Sequence, residues 1–244
     1  MDIKLIIPAR YESTRFPGKP LANILGTSMI KRVFDQCSVA IDPSCIYVAT
    51  DNDKIARYCK EEDIQVVLTA ETCLTGTDRV AEAAEILGGD VFINVQGDEP
   101  IFNPEDISRL LAEVNVDPSK VYCGYTAIES EDDFRSRSLP KMVFNAEGKL
   151  LYTSRSEVPG NKKNEFKWGY RQVCAYAFPL SALRVFSGVT SKGPLENEED
   201  LELLRFLELD YPVNMIEMSN SSIPVDHPED VLKVESELNK RKDV

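Results

Sequence analysis

The chain is 244 residues long, with 28 Lys+Arg against 41 Asp+Glu and a formal net charge of −13. That length suits one large α/β unit, and 43 % hydrophobic with 28 % charged residues excludes the disordered and fibrous classes. The acidic balance argues against nucleic-acid or membrane-surface partners, and no apolar run approaches a membrane span; the opening MDIKLIIPAR lacks a signal-peptide core, so a cytoplasmic protein is expected.

In chain order, apolar β-branched runs at 3–7, 46–50, 66–68 and 91–95 read as strands. Amphipathic stretches at 29–39, 55–62, 80–87 and 104–114 read as helices. Near-continuous apolar strands separated by helices predict a mostly parallel sheet covered on both faces. Ligands of such sheets bind beyond the carboxyl ends of the strands, which directs attention to Pro8–Pro20, Asp51 and Gln96–Pro100. In the second half, 141–144 and 150–154 flank the turn Asn145-Ala146-Glu147-Gly148 and read as a hairpin. A polar loop at 161–167, a strand at 173–178, a long helix at 195–209, a strand at 213–218 and a helix at 228–239 complete the chain. With no repeat, low-complexity tract or long linker, a single α/β domain over 1–244 with an inserted hairpin region is expected.

Two strand ends carry the residues best suited to chemistry. In PARYESTRFPGKP, Arg10, Arg15 and Lys19 are spaced along a loop stiffened by Pro8, Pro17 and Pro20. Guanidinium forks, an ammonium and free backbone N–H groups in one loop suit a triphosphate. The pattern is neither GxxxxGK[ST] nor GxGxxG, which argues against a P-loop NTPase and a Rossmann dehydrogenase. In NVQGDEP, Asp98 follows a strand at the Gly97 turn, a position that serves equally for a Mg²⁺ ligand or for an ordinary turn cap. Asp226, before His227-Pro228-Glu229-Asp230, is a second candidate ligand that competes with a role as helix N-cap. His227 is the only histidine, and the six cysteines lie at least eight residues apart, so His-rich or CxxC metal sites are excluded.

PARYESTRFPGKPL, NVQGDEP and VDHPEDV, joined by Thr75-Gly76-Thr77-Asp78-Arg79, Lys141-Met142-Val143, Tyr152-Thr153-Ser154-Arg155 and Pro194-Leu195-Glu196, together resemble the CMP-Kdo synthetases, the 3-deoxy-manno-octulosonate (Kdo) cytidylyltransferases. The resemblance spans nearly the whole chain. It implies a homodimeric three-layer nucleotidyltransferase fold, with a sugar-binding and dimerisation region inserted at roughly 125–205. It assigns Arg10, Ser13, Arg15 and Lys19 to the CTP phosphates and makes Arg10, Arg15, Lys19 and Asp98 the catalytic set. It further assigns Thr75, Gly76 and Gln96 to the nucleoside, Asp98 and Asp226 to Mg²⁺, and Lys141, Arg155, Gln172 and Glu196 to the sugar. The implied reaction, attack of an anomeric hydroxyl on the α-phosphate of CTP with loss of pyrophosphate, needs charge neutralisation and alignment rather than a covalent nucleophile.

Three positions depart from the family pattern. Arg171-Gln172 stands where the family has Arg-His, Met218 where it has Gln, and Ala70 where a nucleotide-side Arg is usual. With the phosphate loop and both aspartates intact, this points to an unchanged reaction on an altered sugar. The resembling 8-amino-3,8-dideoxy-manno-octulosonate enzymes supply the candidate, since Gln172 offers an acceptor to an ammonium. A synthetase for a sialic-acid-type sugar and a silent nucleotide-binding regulator are the alternatives. Glu196, Glu199, Glu202 and Arg205, spaced by three, read as a solvated, salt-bridged helix face.

Overall fold

The computed structural model describes residues 1–242. In chain order its elements are β1 (Ile3–Pro8), β2 (Asn23–Ile24), β3 (Thr27–Ser28), α1 (Met29–Ala40), β4 (Ile46–Thr50), α2 (Asp53–Glu61), β5 (Gln65–Leu68), α3 (Gly76–Leu87), β6 (Val91–Val95) and α4 (Pro104–Val116). The second half adds β7 (Val121–Ala127), α5 (Glu131–Arg135), β8 (Lys141–Phe144), β9 (Leu150–Ser154), β10 (Tyr170–Pro179), α6 (Leu180–Ser187), α7 (Pro194–Glu199), α8 (Leu203–Glu208), β11 (Val213–Glu217) and α9 (Asp230–Lys242).

The main sheet runs β11-β7-β10-β6-β1-β4-β5, with the β8–β9 hairpin joined to β10. β1, β4, β5 and β6 are mutually parallel, β11 is parallel to β7, and β10 runs antiparallel between β6 and β7. The mostly parallel α/β sheet expected from the sequence is therefore observed. Strands buried on both faces explain the unbroken apolar runs. Leu5 and Ile7 face a core built with α1, α2 and α4, through Val33, Cys59 and Leu110. Ile6 faces a second core with α3, α6 and α8, through Val80, Phe186 and Phe206. A smaller cluster of Ile24, Met29, Ile101, Val225 and Val234 seats α9 and the segment before it.

Several boundaries differ from the sequence expectation. The helix expected from residue 80 begins a turn earlier, at Gly76, because the Thr75 side chain caps it by accepting from the Asp78 N–H. β7 and α6 were not legible as elements. β7 carries Gly124 in its middle, where a Cβ would lie 2.2 Å from Met218 Sδ, so the glycine marks a close approach rather than a break. Met218 itself is 3 % exposed and packs in the first core.

The long helix expected over 195–209 is two short ones. Asp200 takes φ 51°, ψ 49° and ends α7, its N–H donating to Glu196 O. Aspartate tolerates this left-handed conformation better than most residues. The expected solvated acidic face is also corrected: Glu196 is 0 % and Arg205 1 % exposed, and Glu202 is turned inward. Tertiary partners for these side chains override the local 3.6-residue period.

Candidate active site

β1 ends at Pro8 and the following loop returns on itself, with Gly18 N–H donating to Tyr11 O at 2.9 Å and Phe16 N–H to Ser13 Oγ at 3.3 Å. Gly18 sits at φ 71°, and a Cβ there would stand 3.3 Å from the Tyr11 ring, so glycine closes the loop without strain. Tyr11 packs on the first core beneath the Lys54 ammonium, which lies 4.5 Å above its ring, and Phe16 packs on the third cluster. The loop is thus anchored by its aromatics. Its cations are left facing a cleft: Arg10 and Arg15 are exposed, while Lys19 turns inward at the start of a 3₁₀ turn, Lys19–Leu21.

The end of β6 lies directly beside this loop. A Cβ on Gly97 would come within 2.8 Å of Pro8 O, so only glycine lets the two strand ends pass. Lys19 Nζ donates to Asp98 Oδ2 at 2.7 Å and to Val225 O at 2.8 Å, and stands 3.9 Å from Asp226 Oδ1. Arg15 pairs with Asp226 at 3.0 Å. Two aspartates far apart in sequence therefore converge on one ammonium. The Asp226 carboxylate goes to Arg15 and Lys19 rather than to the first turn of α9, while Asp230 Oδ2 accepts from the N–H groups of Asp226 and His227 at 3.1 and 2.9 Å. Asp226 keeps its carboxylate for the cleft, and the His227 side chain is exposed.

The opposite wall is the first turn of α3. Thr75 Oγ1 donates to Asp78 Oδ2 at 2.7 Å, and Asp78 in turn receives Arg205 NH1 at 2.7 Å. Arg205 also grips Glu196 through Nε and NH2, each at 2.7 Å, with its guanidinium 3.8 Å over the Phe186 ring. Burial alone would depress the Arg205 pKa, but the hydrogen bonds that it donates to Glu196 and Asp78 outweigh it and push it up. Beside this network Glu202 accepts from Gly76 N and Thr77 N at 3.0 and 2.8 Å, a carboxylate placed at the positive end of α3. Burial nonetheless raises the Glu202 pKa above the usual glutamate value.

One cavity of about 230 Å³ gathers these pieces. Arg10, Ser13, Arg15 and Lys19 line one side, Thr75, Gly76 and Gln96 another, and Asp98 and Asp226 the floor between them. Asp200 and Glu202, which sequence reasoning did not assign, complete the wall; their only signal was an acidic run ending at a buried arginine. Asp51 is held by Arg79, which also donates to Thr69 Oγ1, and so braces the ends of β4 and β5. The two carboxylates on the floor are hard oxygen donors facing a cationic loop. That set fits Mg²⁺, which takes one or two carboxylates and fills its remaining positions with water and phosphate oxygens. Among the described residues no group of three or more His, Cys, Asp or Glu offers an all-protein metal cage.

The four sugar-side residues are not in this cavity's lining. Lys141, fully buried, donates from Nζ to Ser136 O and Arg155 O at 2.6 and 2.7 Å, and burial lowers its pKa. Arg155 spends its guanidinium on the carbonyls of Glu199, Arg137 and Asp200 at 2.7, 3.1 and 3.2 Å. Gln172 is 9 % exposed, with Nε2 donating to Tyr176 Oη at 2.6 Å. Glu196 is fully buried and holds Arg205 through both carboxylate oxygens.

Comparison with known proteins accords with this arrangement. Residues 5–223 match the cytidylyltransferase family. The chain is 38 % identical over 244 residues to a 3-deoxy-manno-octulosonate cytidylyltransferase of Protochlamydia amoebophila, covering 97 % of this chain and 94 % of that one. It is 36 % identical over 244 residues to an 8-amino-3,8-dideoxy-manno-octulosonate cytidylyltransferase of Shewanella sp. (strain W3-18-1), covering 98 % and 99 %. Among solved structures, a CMP:2-keto-3-deoxy-manno-octonic acid synthetase complexed with CTP superposes with a TM-score of 0.89 at 30 % identity, over 99 % of this chain and 100 % of that one. On its fold, its cleft and these matches along nearly its whole length, the chain belongs to the cytidylyltransferase family.

Proposed function

We propose that this protein is a Mg²⁺-dependent sugar cytidylyltransferase that couples CTP to an eight-carbon acidic sugar, Kdo or its 8-amino form, giving the CMP-sugar and pyrophosphate for lipopolysaccharide assembly. The observation that carries it is the convergence of Arg10, Ser13, Arg15 and Lys19 with Asp98 and Asp226 in one cavity beside Thr75, Gly76 and Gln96.

Arg10, Arg15 and Lys19 neutralise the triphosphate, with Ser13 Oγ and loop N–H groups as further donors. Gln96 and the Thr75–Gly76 turn hold the nucleoside, the latter fixed from behind by Asp78 and Glu202. Asp98 and Asp226 would hold Mg²⁺, which when bound supplies charge neutralisation and alignment of the phosphates. The anomeric oxygen forms the new bond to the α-phosphorus and gives up its proton to solvent, while the bond from the α-phosphorus to the bridging oxygen breaks and pyrophosphate departs. Arg15 and Lys19 are placed to take up the charge that develops on the leaving group.

The region at 125–205 carries the sugar subsite in this reading, with Asp200 and Glu202 forming its acidic border to the nucleotide cavity. Gln172 spends its amide nitrogen on Tyr176, so the carbonyl oxygen is the end available to a substrate donor. This supports a preference for the 8-amino sugar. Exposed Leu151 and Trp168 on the hairpin side support a homodimer. The test is competition: equal concentrations of the two sugars with limiting CTP and Mg²⁺, products separated by mass. The 8-amino CMP-sugar is expected to dominate; equal use or dominance of CMP-Kdo would assign Gln172 to packing.

A further inference from the structure

Asp226 lies in a stretch without helix or strand, 218–229, held by the packing of buried Val225 in the third cluster and by hydrogen bonds, among them those from the Asp226 and His227 N–H groups to Asp230 Oδ2. Val225 adds two through its backbone: its N–H donates to Asp98 O at 2.9 Å, and its O accepts from Lys19 Nζ at 2.8 Å. Side chains earlier in the chain contribute more. Asp106, 1 % exposed, accepts from Ser219 N at 3.0 Å and Ser219 Oγ at 2.5 Å, and Arg171 Nε donates to Asn220 Oδ1 at 3.2 Å. Four residues before Asp226, the Ser222 hydroxyl donates to Oε2 of Glu99, which is 5 % exposed and is the residue after Asp98. Nothing in the proposed reaction uses Glu99. Yet it is covalently tied to one floor aspartate and hydrogen-bonded four residues ahead of the other.

We propose that Glu99 and Ser222 are a positioning pair that sets the separation of Asp98 and Asp226, and through it the affinity of the site for a divalent cation. The inference rests on the reading of these two aspartates as the metal-holding pair. A hydroxyl bonded to a buried carboxyl group is poorly replaced by water. Groups that orient metal-binding side chains from behind commonly change affinity by about 10- to 100-fold when removed. Ser222 is the informative half, because deleting one hydroxyl leaves the Asp106–Ser219 and Asp98–Val225 bonds in place to hold the segment on the fold.

The experiment titrates Mn²⁺, as a Mg²⁺ surrogate, into the full-length protein with CTP and no sugar, reading free Mn²⁺ by electron paramagnetic resonance. Ser222→Ala should bind Mn²⁺ about tenfold more weakly than wild type while its thermal midpoint stays close to wild type. Ser222→Thr, which keeps the hydroxyl, should bind within about twofold of wild type, and Glu99→Gln, whose carbonyl oxygen still accepts, should fall between wild type and Ser222→Ala. Wild-type affinity in Ser222→Ala, with wild type itself binding, overturns the positioning role alone. Absence of specific Mn²⁺ binding by wild type overturns the metal reading beneath it and the positioning role together.

Discussion

Replacing Arg205 with Met tests the joint between the two halves of the site. The guanidinium is 1 % exposed and compensates two carboxylates, Glu196 at 0 % exposure and Asp78, while stacking on Phe186. Met fills much of the volume but leaves both acids without their partner. Breaking a buried pair in this way costs about 3–5 kcal/mol, because the remaining charge is uncompensated rather than because the pair itself is strongly favourable. At roughly 2–4 °C per kcal/mol for a chain of this size, the thermal midpoint should drop by about 6–20 °C. Differential scanning calorimetry at pH 7 reads this directly. The triple variant Arg205→Met, Asp78→Asn, Glu196→Gln should recover a large part of the loss, since it removes the stranded charges. A loss in Arg205→Met below about 1 kcal/mol would show that water or relaxation satisfies both acids, and the network would then be no joint at all.

Asp98→Asn should abolish turnover with Mg²⁺ at an unchanged circular-dichroism spectrum, since an amide does not supply the anionic oxygen; near-normal turnover would make Asp98 a turn residue. Lys19→Ala removes the ammonium between Asp98 and Asp226 and should raise the KM for CTP and lower kcat together, each by about tenfold or more, whereas a change in melting temperature alone would make the loop scaffolding. For Glu202, whose folded-state pKa is raised by burial, the native state holds the proton more tightly than the unfolded chain. Stability from this group is therefore present below its unfolded value, about 4.3, and is lost as pH rises through the folded value. Urea denaturation as a function of pH should show this decline in wild type and a flatter profile in Glu202→Gln; identical slopes would mean that Glu202 is ionised in both states.

The parts of the fold legible in the sequence are those fixed by local pattern. Buried parallel strands are written as unbroken apolar runs, so β1, β4 and β6 are found within a residue of their ends. The phosphate loop is legible because its cations sit among prolines directly after a strand, and Asp98 because a glycine turn precedes it. What is not legible depends on partners distant in sequence. Nothing local tells that Arg205 will meet Asp78, or that Glu202 will meet the Gly76 N–H. The acidic run around Glu199 therefore reads as a wet helix face, when its side chains in fact choose interior partners and break the helix at Asp200. Gly124 hides β7 for the same reason: the void that it leaves is filled by Met218, almost a hundred residues later.

Gln172 and Lys141 lie between these cases. Their residue types are plain in the sequence, but their hydrogen bonds to Tyr176 and to two backbone carbonyls appear only once β8, β9 and β10 are paired. A polar side chain fixed in this way orients its neighbours as much as any ligand.

Pyrophosphate release from each of the four nucleoside triphosphates, with Mg²⁺ and with or without the eight-carbon sugars, tests the central claim most directly. Release should require CTP, the divalent cation and a sugar together, stoichiometric with CMP-sugar formed and absent in Asp98→Asn. CTP binding without pyrophosphate release from any sugar of the panel would contradict the account and leave the cleft a nucleotide sensor.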